Sequence, residues 1–594
     1  MTRSMPPPSP NDHRRPLRRD FGALLLAFAI LTGGTGAAAC SMQRFANIPV
    51  TMSGLTPLVS AKVAGVDARL IADSGAFFSL ITPQAARKFG LKVGPLPVGV
   101  EVTGVTGQAD AGLATAKEFS VPGFALHNTD FLVGAPQLND WGDGLLGENL
   151  LGFKDTEFDF ANGAIHEYLP VDCAKASLAY WATGIPYSAI DIHTLSTQAD
   201  SIRGMVKVNG VSLRAIFDTG APRSILSLRA ARAAGMKTDG PDVKPGGMSG
   251  GIGRRTIETW IAPVTTFQIG EEQVRNTSLR IGDIELDGDD MLVGADFFLS
   301  HRILVSRSQS KLYLTYNGGP VFSLDSADGR ASPPALVPSE KLADGDAYAR
   351  RAAAFAARGE YKLAIADLTQ AVALEPNDPK HLIDRGQAYW RDGQSRLAGV
   401  DFDAALKLKP DDVEALMDRG RFRQRASDSG GATQDFSAAV KLDPSRFEPV
   451  AQAYLSADRF ADAVGVLDTW IADHPKDEAL ATALTVRCFS RGALGSQLDQ
   501  AEADCDAALR LAPGSVGTFD SRGLVRLRRG EIDKAIADYT AALRVAPDNA
   551  LSLYGRGVAE LRKGLKAQSD ADIAAATAHE PDIAATASKF GVTP

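Results

Sequence analysis

Between residues 45 and 318 apolar and polar positions alternate in short bursts. Runs such as LVSAKVAGV, ARLIA, EFSVPGFAL, MVKVNGV, WIAPVTTFQIG and HRILVSRSQSKLYLTY are rich in Val, Ile, Thr and aromatic residues and are punctuated by Gly or Pro. This is the pattern of short strands bounded by turns. Two brief helical segments, PQAARKFG and LRAARAAG, fall among them. From about residue 344 the pattern changes to long Ala- and Leu-rich helical periods. The stretch between, GPVFSLDSADGRASPPALVPSEKLA (319–343), shifts to Pro, Ser and Asp and predicts a linker. The chain is therefore expected to be multidomain, an all-β part followed by an all-α part.

The β-rich part repeats itself. ARLIADSGAFFSLIT (68–82) returns as LRAIFDTGAPRSILS (213–227), and residues 58–94 share 15 identities in 37 positions with 203–239. The matches include Lys62/Lys207, Gly65/Gly210, Arg69/Arg214, Asp73/Asp218, Gly75/Gly220, Ala76/Ala221, Ser79/Ser224 and Gly90/Gly235. Each copy also carries two apolar residues and a Gly downstream: Leu145-Leu146-Gly147 and Leu292-Val293-Gly294, 74 and 76 residues after its Asp. A single Asp-Ser-Gly or Asp-Thr-Gly is an ordinary turn. Two of them inside a duplication that also repeats the downstream motif predict one carboxylate per copy, working as a pair.

The helical part has its own period. Prolines recur at 376, 410, 444, 475, 513, 547 and 581, spaced 34, 34, 31, 38, 34 and 34. Gly386, Tyr389, Ala398, Phe402 and Ala405 precede Pro410, and Gly523, Ala535, Tyr539 and Ala542 precede Pro547. Small residues let one helix approach the next, aromatics fill the gap, and Pro ends the unit. This resembles the tetratricopeptide repeat (TPR), and implies about seven helix pairs over 344–594, stacked as an all-α solenoid whose concave face holds a protein partner. The uneven spacings predict a shortened fourth unit and a loop insertion in the fifth.

The paired Asp motifs and their downstream partners resemble the retropepsin-like aspartic proteases, and the duplication resembles the single-chain, two-lobed form of that plan. The resemblance implies an all-β double-lobed protease with lobes at 45–170 and 185–318. Asp73 and Asp218 would be the catalytic dyad, in which two carboxylates sharing one site retain a proton. One would deprotonate a water and the other would donate to the scissile carbonyl. Ser74 and Thr219 would tie the active-site loops together, Gly75 and Gly220 would allow the tight backbone path beneath the carboxylates, and Gly147 and Gly294 would lie in the segments packed under each loop. No metal and no cofactor are implied. Ala76 and Ala221 stand where acid-active relatives carry Ser or Thr, which implies activity nearer neutral pH. VTGVTGQAD (102–110) and MSGGIGRRT (248–256) read as flap hairpins, with Gly104, Thr106 and Gly107 in the first and Gly250 and Gly253 in the second.

Other chemistry is weaker. DIELDGDD (283–290) opens like a calcium loop, but its twelfth position is Gly294 instead of an acidic residue. The eight His show no ligand spacing, and His166, His193 and His301 are expected at the surface. Net charge is −8 over 594 residues, with no basic footprint for nucleic acid. RRPLRRD, then FGALLLAFAIL, then GTGAAAC read as an export signal over 1–40, its apolar run too short to span a membrane. Ala38-Ala39-Cys40 makes Cys40 a lipidation candidate, and with it a membrane attachment, while the same alanines fit ordinary cleavage. Export implies a periplasmic or membrane-anchored protein of a Gram-negative bacterium. The four Cys, Cys40, Cys173, Cys488 and Cys505, do not make a disulfide framework. Cys488 and Cys505 fit either a disulfide or two small buried hydrophobes.

Two functional readings follow: an exported endopeptidase whose repeats recruit a polypeptide substrate or a partner, and a catalytically silent scaffold that grips an extended peptide. The long connection 170–200 adds a third arrangement. If it held the lobes apart, activity would require two chains.

Overall fold

A computed structural model describes residues 40–594 apart from 97–101, 105–106, 110, 136–137, 139–140, 153, 194–200, 252–256, 285, 287 and 323–340. The expected signal segment and most of the linker lie outside these residues. Among the described residues no helix is long and apolar enough to cross a membrane.

The two copies fold alike. In lobe 1 the strands Thr56–Val63 and Val66–Ala72 form a hairpin that buries Val59, Ala61, Val63, Leu70 and Ala72. In lobe 2 Ile202–Val208 and Val211–Phe217 do the same. The helical segments are the short helices Pro83–Lys88 and Leu228–Ala233. Thr82 Oγ1 accepts from the Ala85 N–H and Ser227 Oγ from the Ala230 N–H, each capping a first turn. The downstream motif becomes a strand inserted beside the aspartate strand. Gly144–Leu146 runs parallel to Val66–Ala72 and antiparallel to Leu80–Ile81. Met291–Val293 runs parallel to Val211–Phe217 and antiparallel to Ile225–Ser227. A strand covered on both sides needs apolar residues throughout, which is why this motif is Leu-Leu and Leu-Val.

The lobes are joined by an antiparallel six-stranded sheet. Its order is Ser41–Ser53, Ala164–Val171, Asp155–Asp159, His301–Ser306, Lys311–Tyr316 and Ser188–His193, with three strands from each lobe. Phe158 faces Ile303 across the central pairing. Arg302 bonds Glu157 Oε1 and lies 3.6 Å from Asp159, so lobe 2 neutralises two buried carboxylates of lobe 1. The connection after residue 170 is not loose. Its Leu178, Ala179 and Ala182 are buried with Tyr168, Leu304 and Tyr313 on this sheet, so this part of the connection does not hold the lobes apart.

Residues 345–579 form seven helix pairs, from Gly345–Ala357 with Tyr361–Leu374 to Ala550–Arg562 with Lys566–His579, closed by Ile583–Lys589. A Cβ on Gly386 would lie 2.9 Å from Phe402, and one on Gly523 2.9 Å from Tyr539, so each Gly is required by the ring against it. A bidentate Arg–Asp pair recurs along the stack: Arg351–Asp367, Arg385–Asp401, Arg419–Asp435, Arg487–Asp504, Arg522–Asp538 and Arg556–Asp572. The fourth unit is short because its first helix, Phe447–Ser456, has 10 residues. The fifth lengthens its first helix, Leu480–Leu494, to 15 residues where the neighbouring unit has 13. The expected loop insertion is therefore partly helix. The first repeat helix rests on the lobes, where Arg358 donates to the Leu299 carbonyl at 3.1 Å and Ala354 joins their core.

Three sequence expectations are corrected. Cys40 is bonded to Cys173, and Cys488 to Cys505, so all four cysteines are paired. A sulfur in a disulfide has no bond left for a lipid thioether, so Cys40 is a cross-link instead of a membrane attachment. His301 is fully buried, stacked on Phe297 at 3.9 Å and bonded through Nε2 to Glu272 at 2.8 Å. His166 is buried in the interlobe sheet, where desolvation and then Arg44 and Arg302 depress its pKa to about 4. His193 is exposed, as expected. Thiol titration of the denatured full chain, after folding under oxidising conditions, should find no thiol before reduction and all four afterwards. A free Cys173 before reduction would return Cys40 to the lipidation reading.

Candidate active site

Asp73 and Asp218 each follow the last residue of an aspartate strand, where the two lobes meet. Each loop is hung on its inserted strand. The Asp73 N–H donates to the Leu146 carbonyl and the Asp218 N–H to the Val293 carbonyl, both at 2.9 Å. The Glu148 N–H donates to the Ala76 carbonyl and the Ala295 N–H to the Ala221 carbonyl, both at 2.8 Å.

Four reciprocal hydrogen bonds join the loops. Ser74 Oγ donates to the Phe217 carbonyl at 2.9 Å, and Thr219 Oγ1 to the Ala72 carbonyl at 2.7 Å. The Ser74 N–H donates to Thr219 Oγ1 and the Thr219 N–H to Ser74 Oγ, both at 3.0 Å. Both side chains are fully buried. Each hydroxyl thus gives its proton to the opposite lobe and takes one from it, and no buried group of the set is left unpaired.

The grip brings the carboxyls together. A Cβ on Gly75 would lie 2.3 Å from Asp218 Cγ, and one on Gly220 2.2 Å from Asp73 Cγ. These glycines are required because the other lobe's aspartate occupies the space of a side chain. Each carboxyl thus lies over the opposite loop, close enough for the two to act on each other's protonation. Asp73 Oδ1 also accepts from the N–H groups of Gly75 and Ala76, and Asp218 Oδ1 from those of Gly220 and Ala221. Burial first, and then the Asp218 charge, push Asp73 well above the usual carboxylate range. Burial likewise raises Asp218, against hydrogen bonds that favour its ionised form. The pair titrates as a unit and holds one proton at pH values where separate carboxylates hold none.

The first flap is a two-stranded hairpin, Val102–Gly104 with Gly107–Ala109, in which Gly104 faces Gly107. Thr106 lies outside the described residues. The second grows from Lys244–Ser249 paired with Ile257–Ile269; Gly250 is exposed at the start of its tip, and Gly253 lies outside the described residues. The calcium-like acidic run is structural, with Asp289 pairing Arg203 and Asp290 pairing Arg229. Among the described residues two groups of acidic and His side chains lie close enough to share a cation: Asp346, Glu375, Asp378 and His381 in the repeats, and Glu157, Asp159 and His166 in the interlobe sheet. Arg302 already pairs the carboxylates of the second.

Sequence reasoning missed the support beneath each loop. Ser79 N–H and Oγ donate to Asn149 Oδ1 at 2.7 and 2.8 Å, and the Gly147 N–H donates to Ser79 Oγ. Ser224, Asp296 and Gly294 repeat this in lobe 2. The signal was present in the Ser79/Ser224 identity and in the residues two beyond each motif Gly.

With the geometry in place, comparisons agree with it. Residues 59–153 and 204–297 match a family model described as aspartyl protease. Residues 383–447 with 521–582, and 352–393, match tetratricopeptide repeat models. The N-terminal part of the chain carries aspartyl protease repeats and the C-terminal part TPR repeats. Similar solved structures include a tetratricopeptide repeat protein from Parabacteroides merdae, with 16% identity over 42% of this chain and 98% of that one and a TM-score of 0.31. Another is the C-terminal part of a TPR protein from Cytophaga hutchinsonii, with 17% identity, 39% and 95% coverage and a TM-score of 0.30. A third is YrrB, titled a TPR protein with an unusual peptide-binding site, with 18% identity, 32% and 97% coverage and a TM-score of 0.25. No curated protein matches the chain.

Two outcomes test this geometry. Thr219→Val leaves the Ala72 carbonyl and the Ser74 N–H buried without partners and should cost about 2–4 kcal/mol, read by urea unfolding followed through tryptophan fluorescence. Thr219→Ser keeps both bonds and should stay within about 1 kcal/mol of wild type. For Asp73 the folded pKa is raised, so its contribution to stability is present below the unfolded value of 3.8 and is lost as pH rises through the folded value. Asp73→Asn keeps the Oδ1 acceptor without the charge. Its Tm should exceed that of wild type at pH 7–8, and the gap should close as pH falls below 3.8.

Proposed function

We propose that this chain is an exported aspartic endopeptidase that cleaves peptide bonds with a water activated between Asp73 and Asp218, its TPR solenoid recruiting a protein substrate or partner. The observation that carries the reading is the meeting of the two carboxyls within one chain, each seated on the other loop's glycine. Asp73 is buried and Asp218 half-buried. A water bonded to both would lose its proton to the ionised partner as it attacks the scissile carbonyl. The protonated partner would donate to the carbonyl oxygen, and the pair would return to its singly protonated state on release of the amine. The main-chain N–H groups at each Asp hold Oδ1 of both carboxyls, which keeps them oriented through that exchange. The Gly-bearing hairpins on either lobe would hold an extended peptide over the pair.

Export is supported by the basic and apolar run at 14–31 and by the two disulfides, which persist in oxidising compartments. The six-stranded sheet supports the single-chain arrangement over pairing between two chains. The silent-scaffold reading predicts decay of at least one aspartate site, and both sites are intact.

The test is cleavage of a quenched-peptide library and casein by the full chain, with Asp73→Asn and Asp218→Asn in parallel. Each variant should lose at least about 10³-fold in kcat while sedimenting as wild type does. Activity restored by mixing the two variants would show that lobes pair between chains. A folded wild type silent from pH 4 to 8 would favour the scaffold.

A further inference from the structure

The chain ends inside its own solenoid. Ile583–Lys589 follows unit seven, and its seven residues rise only about 10 Å. A cap standing beyond unit seven could not reach unit four, three helix-to-helix steps of about 10 Å away. Yet Lys589 Nζ lies 3.2 Å from Asp458 Oδ2, in the turn between the two helices of unit four, Phe447–Ser456 and Phe460–Asp473. The Phe590 ring packs edge-on against Phe460 of unit four and Phe489 of unit five, at 5.9 and 5.0 Å. Its carbonyl accepts from Arg528 Nη1 of unit six at 2.8 Å. One residue that touches three successive units of a curved stack lies on the inside of the curve.

The residues that follow continue along that inner face. Val592 is 3% exposed and enters a cleft lined by Phe489, Leu524, Tyr539, Leu551 and Gly555, with Asp520 at its wall. Part of the cleft beside Val592 stays unfilled. Gly591 has a φ of 73°, and a Cβ there would run into the Arg528 guanidinium. The Thr593 carbonyl accepts from Arg562 Nη2 of unit seven at 2.8 Å. Thr593 and Pro594 themselves are exposed. What the solenoid holds is therefore an aromatic ring, a glycine, an aliphatic side chain and two main-chain oxygens.

We propose that this inner face is a binding site for an extended protein segment reading aromatic-Gly-aliphatic, and that the chain's own Phe590, Gly591 and Val592 occupy it until such a partner displaces them. This rests on the solenoid as the recruiting part of the reading above, and not on the dyad. Arg528 and Arg562 hold main-chain oxygens, which every peptide offers. The Phe460 and Phe489 rings and the cleft select the side chains, and the guanidinium of Arg528 selects the glycine between them. A tethered occupant competes at an effective concentration on the order of millimolar. A free copy of the same segment therefore binds wild type no tighter than about millimolar, however well the site fits it.

The experiment measures, by fluorescence anisotropy, binding of the labelled nonapeptide TASKFGVTP (586–594) to the full chain. Phe590→Ala/Val592→Ala and a chain ended at Lys589 are measured in parallel. Both released chains should bind the peptide at least about tenfold tighter than wild type does. The same peptide with Ala in place of Phe should bind them at least about tenfold more weakly. Saturating nonapeptide should raise the Tm of the released chains and leave that of wild type unmoved. Released chains that keep the far-UV circular dichroism of wild type and bind nothing would overturn the proposal. So would equal binding by all three chains, or a wild-type dimer that the double variant lacks, which would place the segment between two copies. A quenched substrate carrying the nonapeptide reads recruitment separately. Binding with no fall in its KM on the released chains would keep this site and count against the recruiting role. An inactive dyad would leave the binding result standing.

Discussion

The structure turns on the exchange of hydrogen bonds between Ser74 and Thr219. A hydroxyl has one proton to give and lone pairs to receive, and here each receives from the partner's own N–H and gives to a carbonyl of the opposite lobe. The geometry closes only if the two loops approach from opposite sides at one height. That approach fixes everything above it. It seats each carboxyl against the other loop's glycine and raises the cost of a second negative charge. Chemistry of the dyad type is thus a consequence of how two hydroxyls are satisfied in a buried place.

The grip is two residues wide and could not hold two lobes alone. The six-stranded sheet below it supplies the remaining constraint. Its central pairing crosses from lobe 1 to lobe 2, and its buried charges are neutralised across the same boundary, Glu157 and Asp159 by Arg302 and Glu148 by Arg307. Removing one partner of such a pair strands a buried charge, so these contacts define which lobe arrangement is tolerated more than they add stability. The connection between lobes is packed into this layer. The first repeat helix adds its own contacts, and the solenoid begins from a surface that belongs to both lobes.

Duplication made the two halves alike, and their differences carry the information. Where the loop support in lobe 1 is Asn149, lobe 2 has Asp296. Where lobe 1 has Glu148 reaching to Arg307, lobe 2 has Ala295. Neither changes the backbone bonds, which are the same in length on both sides.

Sequence by itself determined the local units. Strand runs, the two Asp motifs, the Leu-Leu-Gly and Leu-Val-Gly segments and the proline period are short-range patterns, each dictated by burial along one element or by a turn. The offset between copies made Asp73 and Asp218 legible as a pair, and Ser74 and Thr219 with them. What required the tertiary structure were the facts about neighbours distant in the chain. Gly75 and Gly220 read as backbone freedom and proved to be room for the opposite carboxyl. His166 and His301 read as surface polar residues and proved buried, because Arg302 with Glu157 and, separately, Glu272 with Phe297 enclose them. Cys40 read as a terminus for lipid and proved to be half of a cross-link to Cys173, 133 residues away. Asp296 was marked only by its place two residues past the motif Gly, opposite Asn149 in the other copy. Its meaning arises only when the chain brings it beneath Ser224. Periodicity records which face of an element is dry, and it does not record what lies on the other side of that face.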